Sequence, residues 1–397
     1  MRSRIGYGLA AVVGAVLGVV ITLGAARASG WFDSGTKTVV VPAPASAPAS
    51  PASVRPAGPA PPLDARRIYA ERSPGVVTIF SSFPSGEEGQ GSGFVVSRNG
   101  YVLTNAHVIT TAPQQPVARA QHVYVEFADG DRVSAKVKGY DLFSDVGVLQ
   151  VDPREHPLTP LPLGSSARVV VGEPVATIGS PFGNENSLSV GVVSATHRSI
   201  SSITSEYQLT DAIQTDAAIN HGTSGGPLVD AGGRVIGISA QIRSSTGNGE
   251  GVGFAVPIDT VRRSMRGLIA SGRARYAYVG ITTDDLTPSL ARFLHEHVTS
   301  GALITCVDDG GPGARAGLHG GNASATFEGA PVTGGGDVIV AIDGHRIRSG
   351  TDVVRWVGQR LAPGSTATFS VVRGGARKDV RVKLAERPAR PGQGCRR

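Results

Sequence analysis

Between residues 76 and 256 the sequence is a succession of short apolar runs separated by glycine, asparagine, aspartate and proline. Runs this short, this numerous and this closely punctuated cannot make a helical bundle. They predict many brief strands closed into a barrel or a sandwich. The first lies at 76–80. Asn99-Gly100, a strong hairpin signal, joins runs at 93–97 and 101–105, and Asp129-Gly130 turns 123–127 into 132–137. Further runs follow at 146–149, 175–178, 188–194, 228–229, 235–238 and 253–256. Helical periodicity first appears at 258–269, with Val261, Met265, Leu268 and Ile269 on one side, and it stops at Gly272. A domain boundary is expected there.

The 397 residues leave room for a second domain. From about 276 to 386 the chain mixes strands (279–282, 303–307, 338–343 and a hairpin through 373–376) with helices at 289–297, 314–317 and 352–360. Between Leu318 and Gly334 it carries a stretch rich in glycine, alanine and threonine, expected to be a surface loop. At the other end, Arg2 and Arg4 precede an uncharged run over 5–26 whose length suits a bilayer-spanning anchor, with the N-terminus inside and the rest outside. The competing reading is a signal peptide cleaved after Ala26-Arg27-Ala28. Residues 39–62 are dominated by proline, alanine and serine and read as an extended linker. The organisation expected is thus an anchor or signal over 1–30, a linker over 31–64, a first domain over 65–272, a second over 273–387, and a basic tail over 388–397.

The net charge is +7, yet no basic stripe interleaved with aromatics is present, so nucleic-acid binding is not expected. Cys306 lies in an apolar run and reads as a small buried residue. Cys395 lies in a polar tail, and the two need not pair. Their spacing offers no metal site, and no cofactor is called for.

Three residues in order suggest a chemistry. Ser224 stands in Gly222-Thr223-Ser224-Gly225-Gly226-Pro227, where glycines let the backbone turn sharply and aim N–H groups at a developing oxyanion. A serine hydroxyl needs a base and a carboxylate to orient that base. His107 ends a predicted strand among small neighbours. Asp145 precedes a strongly apolar run, where an unpartnered carboxylate would be costly. Asp141 and Asp152 are rivals; the first reads as a turn residue and the second precedes Pro153. The order His, Asp, Ser places base and acid in one half of a domain and the nucleophile in the other, with the site between two β-barrels.

Thr104-Asn105-Ala106-His107-Val108, Asp145 to Leu149, Ile178 to Gly183, Gln214 to Asn220 and Gly222 to Leu228 occur in that order. Together they resemble the motifs of the HtrA (DegP/DegQ-like) serine proteases, over about 65–386. The resemblance implies a mainly β chain: a chymotrypsin-like double β-barrel protease domain, then a small α+β PDZ domain, behind an N-terminal transmembrane helix. It implies a homotrimer acting outside the cytoplasm on unfolded or misfolded envelope proteins. Carried over by motif, His107, Asp145 and Ser224 are the catalytic residues, and the N–H groups of Gly222 and Ser224 form the oxyanion hole. Ala218 lies at the base of a pocket suited to small or medium aliphatic side chains, with the loop 247–253 as a further wall. Tyr278, Val279, Gly280 and Ile281 form the loop that holds a peptide's terminal carboxylate. Where the family commonly has Pro-Gly-Asn, this chain has His221-Gly222-Thr223; His221 is expected to alter the shape of the oxyanion loop, and threonine fits a position whose side chain need not act. Gly147 replaces the usual alanine. Two alternatives share the same residues: a regulatory protease of one signalling substrate, and an inactive chaperone or peptide-binding scaffold.

Overall fold

The computed structural model describes residues 62–114, 116–180, 187–220, 222–242 and 251–390. The apolar run at 5–26, the linker up to residue 61, His221 and most of the 247–253 loop lie outside the described residues. No helix among the described residues is long and apolar enough to cross a membrane.

The first barrel is formed by β1 (Val76–Ser82), β2 (Glu88–Val95), β3 (Tyr101–Thr104), β4 (His122–Glu126), β5 (Arg132–Asp141) and β6 (Val146–Val151), closed in the order β1-β2-β3-β6-β5-β4. The second has β7 (Pro174–Gly179), β8 (Ser187–Ser201), β9 (Gln208–Thr215), β10 (Pro227–Asp230), β11 (Val235–Ile242) and β12 (Gly253–Pro257), closed as β10-β11-β12-β9-β8-β7. Closure leaves no unpaired edge. Strands with one wet face alternate, as β4 does with Val123 and Val125 turned inward. β6 does not alternate, because both of its faces are covered. Leu149 and Val151 fill the first barrel, while Val146 and Val148 share a cluster with Val261 and Leu268. Those two belong to helix α2 (Ile258–Ser271), ahead of which stands α1 (Ala65–Arg72). Each such fully buried Val or Leu contributes about 1.5–3 kcal/mol. Gly272 ends α2 at φ +71, its N–H on the Leu268 carbonyl at 2.9 Å. Sequence periodicity did not reveal α1, whose single buried residue is Ile68; Asp64 caps it, accepting from the Arg67 N–H at 3.0 Å.

The C-terminal domain has a six-stranded sheet in which β14 (Ile281–Leu286), β15 (Gly301–Val307), β18 (Val338–Ile342), β20 (Thr366–Arg373) and β21 (Ala376–Lys383) lie side by side, β19 (His345–Arg346) pairs with β18, and β14 is an edge. Helices α3 (Pro288–Phe293), α4 (Pro312–Ala316) and α5 (Gly350–Arg360) pack around it. β13 (Ala277–Tyr278) pairs with β22 (Ala385–Glu386), so the domain begins and ends at one place. Its core joins Ala302, Ile304, Ile339, Val353, Val357, Phe369 and Val371. Two expectations are corrected here. The stretch 318–334 is not a loop but contains the hairpin β16 (Ala323–Phe327) and β17 (Ala330–Gly334). Its turn, Glu328-Gly329, has φ +50 and +81, the two positive values a tight hairpin turn demands. Cys306 is half-buried and disulfide-bonded, not a free core thiol.

The two barrels meet through glycines. A Cβ on Gly225, at φ +90, would lie 2.1 Å from the Ser92 carbonyl oxygen and 2.4 Å from the Thr104 hydroxyl. A Cβ on Gly91 would lie 2.6 Å from the Val108 side chain and 3.1 Å from the Ser224 carbonyl oxygen. Only hydrogen fits at either place. We therefore expect Gly225→Ala to lower stability by at least about 2 kcal/mol, since it adds left-handed strain to a backbone clash. A shift of the urea midpoint checks this; an unchanged midpoint contradicts the close approach.

Candidate active site

β3 runs into a 3-10 turn, Ala106–Val108, that carries His107. Asp145 ends the connection 142–145, which joins β5 to β6 between the register partners Asp141 and Val146. Its backbone is left-handed, φ +53, which is rare outside glycine. Three bonds hold it there. The Asn105 amide donates to its carbonyl at 2.8 Å, the His107 backbone N–H donates to Oδ1 at 3.0 Å, and His107 Nδ1 pairs with Oδ2 at 2.8 Å. A carboxylate only accepts, so Nδ1 carries the proton and Nε2 is left as a lone-pair acceptor. The Asp145 side chain is 4% exposed and that of His107 20%. Burial pushes the imidazole down, but the charge of Asp145 and its hydrogen bond outweigh this and hold His107 above its ordinary 6.5.

Ser224 lies between β9 and β10, in the second barrel's glycine turn. Gly222 has φ +93 and Gly225 +90. The turn is fastened from within. Thr223 N–H donates to the Asn220 carbonyl at 3.0 Å, and the Thr223 hydroxyl donates to that carbonyl at 2.7 Å and accepts from Asn220 N–H at 2.9 Å. The threonine side chain thus closes the turn onto Asn220. The N–H groups of Gly222 and Ser224 have no acceptor among the described residues. The Ser224 hydroxyl donates to the Ala240 carbonyl at 3.3 Å. No hydrogen bond joins it to His107 among the described residues.

Ser92, on β2, was not singled out from the sequence. It is wholly buried and joins the halves. Its N–H donates to the Ser224 carbonyl at 2.8 Å, and its hydroxyl donates to the Gly222 carbonyl at 2.6 Å and accepts from Ser180 N–H at 2.9 Å. Its own carbonyl accepts from the Thr104 hydroxyl, three residues before His107, at 2.7 Å. The signal was Gly91-Ser92-Gly93, glycines inside a strand, which mark close approach of another backbone.

Ala218 is exposed; its N–H donates to the Ser189 hydroxyl at 2.9 Å and its carbonyl accepts from Thr177 at 3.2 Å. In the C-terminal domain the loop before β14 is fixed through its carbonyls. Val279 accepts from Gly313 N–H at 2.7 Å and Gly280, at φ +74, from Asp308 N–H at 2.9 Å. The Tyr278 hydroxyl bonds the Asp308 carboxylate, and Ile281 opens β14. α5 starts beside that strand, its Gly350 N–H on Asp285 at 2.7 Å, and rests on the first domain through Arg355 and Gln359, both at Asp211. A cavity of about 300 Å³ lies at that contact, lined by Asp211, Arg355 and Trp356 but not by His107, Asp145 or Ser224.

Residues 91–238 match the trypsin-like peptidase domain and residues 277–384 the PDZ domain. The chain is 35% identical over 334 residues to "Protease Do-like 1, chloroplastic" of Arabidopsis thaliana, covering 81% of this chain and 72% of that protein. It is 37% identical over 306 residues to a "Probable periplasmic serine endoprotease DegP-like" of Hahella chejuensis, covering 77% of this chain and 59% of that protein, so it spans little more than half of that relative. Among solved structures it resembles the HtrA-type protease AlgW with tripeptide: TM-score 0.68, 33% identity, 81% of this chain and 97% of that one. The chain belongs to the HtrA-type, DegP-like serine endoproteases, with one trypsin-like peptidase domain and one PDZ domain.

Proposed function

We propose that this serine endoprotease acts through His107, Asp145 and Ser224. The observation that carries the reading is the hydrogen-bonded Asp145–His107 pair, with Ser92 binding the turn of Ser224 to the same barrel. Ser224 Oγ attacks the scissile carbonyl carbon as its proton passes to His107 Nε2. The N–H groups of Gly222 and Ser224 receive the oxyanion. Collapse expels the amine, which takes the proton from Nε2, and water repeats the cycle on the acyl-enzyme. The PDZ domain binds peptide C-termini at Tyr278, Val279, Gly280 and Ile281, the peptide adding as a strand along the β14 edge beside α5. Its edge position and the glycine turn before it support this. AlgW is described with a tripeptide and with a decapeptide.

Periplasmic relatives support an extracytoplasmic enzyme. The finer reading is a homotrimer, anchored by residues 5–26 and a linker to residue 64, with the protease at 65–272 and the PDZ domain at 273–387, acting on unfolded or partly folded envelope proteins. No nucleic acid and no cofactor take part. A scaffold without activity is the less favoured reading, because the Asp145–His107 pair is built as a base needs.

Three outcomes are expected. Ser224→Ala loses casein cleavage by several orders of magnitude while PDZ peptide binding and the thermal midpoint are kept; retained cleavage refutes the nucleophile. His107 must be neutral to take a proton, so kcat/KM rises with pH through a value above 6.5. Asp145→Asn removes both influences that raise it and leaves burial, so the acidic limb moves to lower pH while the rate falls roughly 10⁴-fold; a limb that stays in place contradicts the pairing. Ala218 offers no negative charge, so a peptide library is expected to show cleavage after small or medium aliphatic residues; dominant cleavage after Arg or Lys overturns the pocket.

A further inference from the structure

We infer that Asp141 is a positioning residue for Asp145, and that the joint between the two domains supplies part of its hold. The inference rests on the roles proposed above for Asp145 and His107.

Asp141, Ser144, Ser264 and Tyr276 form a cluster in which none exceeds 6% exposure. Asp141 Oδ1 accepts from the Phe143 N–H at 3.0 Å. Oδ2 accepts from three hydroxyls: Ser264 at 2.5 Å, Ser144 and Tyr276. The three hydroxyl oxygens also lie 2.9–3.0 Å from one another, within hydrogen-bond reach, so carboxylate and hydroxyls form one network centred on Asp141.

The four residues come from four places: the end of β5, the turn before Asp145, helix α2, and the segment entering the PDZ domain. Asp141 fixes residues 143 and 144, the two that lead into the left-handed backbone of Asp145. A carboxylate held at φ +53 persists only where its surroundings over-determine it. Asn105 and His107 hold it from the far side; Asp141 holds the chain that delivers it.

The PDZ domain reaches the same cluster twice. Tyr276 immediately precedes β13. Arg387, just after β22, donates its N–H to the Tyr276 carbonyl at 2.8 Å. Its guanidinium lies 5.4, 5.1 and 5.2 Å from the ring centroids of Phe143, Tyr207 and Tyr276, and Arg263 covers Tyr276 at 4.7 Å. Both cations interact with the Asp141 charge, one from each domain.

The test uses the full chain and a chromogenic peptide ester. Tyr276→Phe and Ser264→Ala each remove one hydroxyl and little volume. Each is expected to lower kcat about tenfold or more with KM unchanged, as small displacements of a catalytic group do. On an Asp145→Asn background neither is expected to cost anything further, because the effect passes through Asp145. An unchanged kcat for both, or an equal loss on both backgrounds, overturns the inference even if Ser224→Ala is inactive. Activity retained by Ser224→Ala instead removes the reading beneath it.

Discussion

Everything at this site depends on how closely two separate barrels approach. Ser92 belongs to one and Ser224 to the other, and three hydrogen bonds from Ser92 fasten the nucleophile's turn and its surroundings. Those bonds require backbone against backbone, which glycines such as Gly91 and Gly225 permit. A side chain at either would push the barrels apart and separate the turn of Ser224 from the barrel that carries His107. The glycine-rich character of both motifs is thus one requirement seen from two sides.

The second constraint is electrostatic. A charged carboxylate beside an imidazole raises its basicity, and burial opposes the charge on either group. Asp145 accepts two N–H donors from His107 and sits on a strained backbone. That strain is balanced by Asn105 on one side and by the Asp141 cluster on the other. Because Tyr276 and Arg387 flank the PDZ domain, the joint between the domains reaches the Asp141 cluster.

Much of this was legible in the sequence. The strand succession, the helix ending at Gly272 and the motifs of His107, Asp145 and Ser224 are local patterns, each set off by glycine or by an apolar run. What was not legible depends on distant contacts. Ser92 is one serine among many until it meets Gly222, 130 positions away. Asp141 was read as a turn residue, which its bond to Phe143 justifies, but three hydroxyls from β6's approach, α2 and the interdomain segment gather on it only in the fold. Thr223 gave no sign that its hydroxyl closes the loop from Asn220. The hairpin at 323–334 was hidden because Glu328 stands where a tight turn favours asparagine or glycine.

The proposed mechanism needs one hydroxyl among the chain's many serines to be activated. Treating the full chain with a fluorophosphonate, with a PDZ-binding peptide present, and locating the adduct by mass spectrometry tests it most directly. A single adduct on Ser224 that His107→Ala abolishes is expected. An adduct on another residue, or none on Ser224, would contradict it.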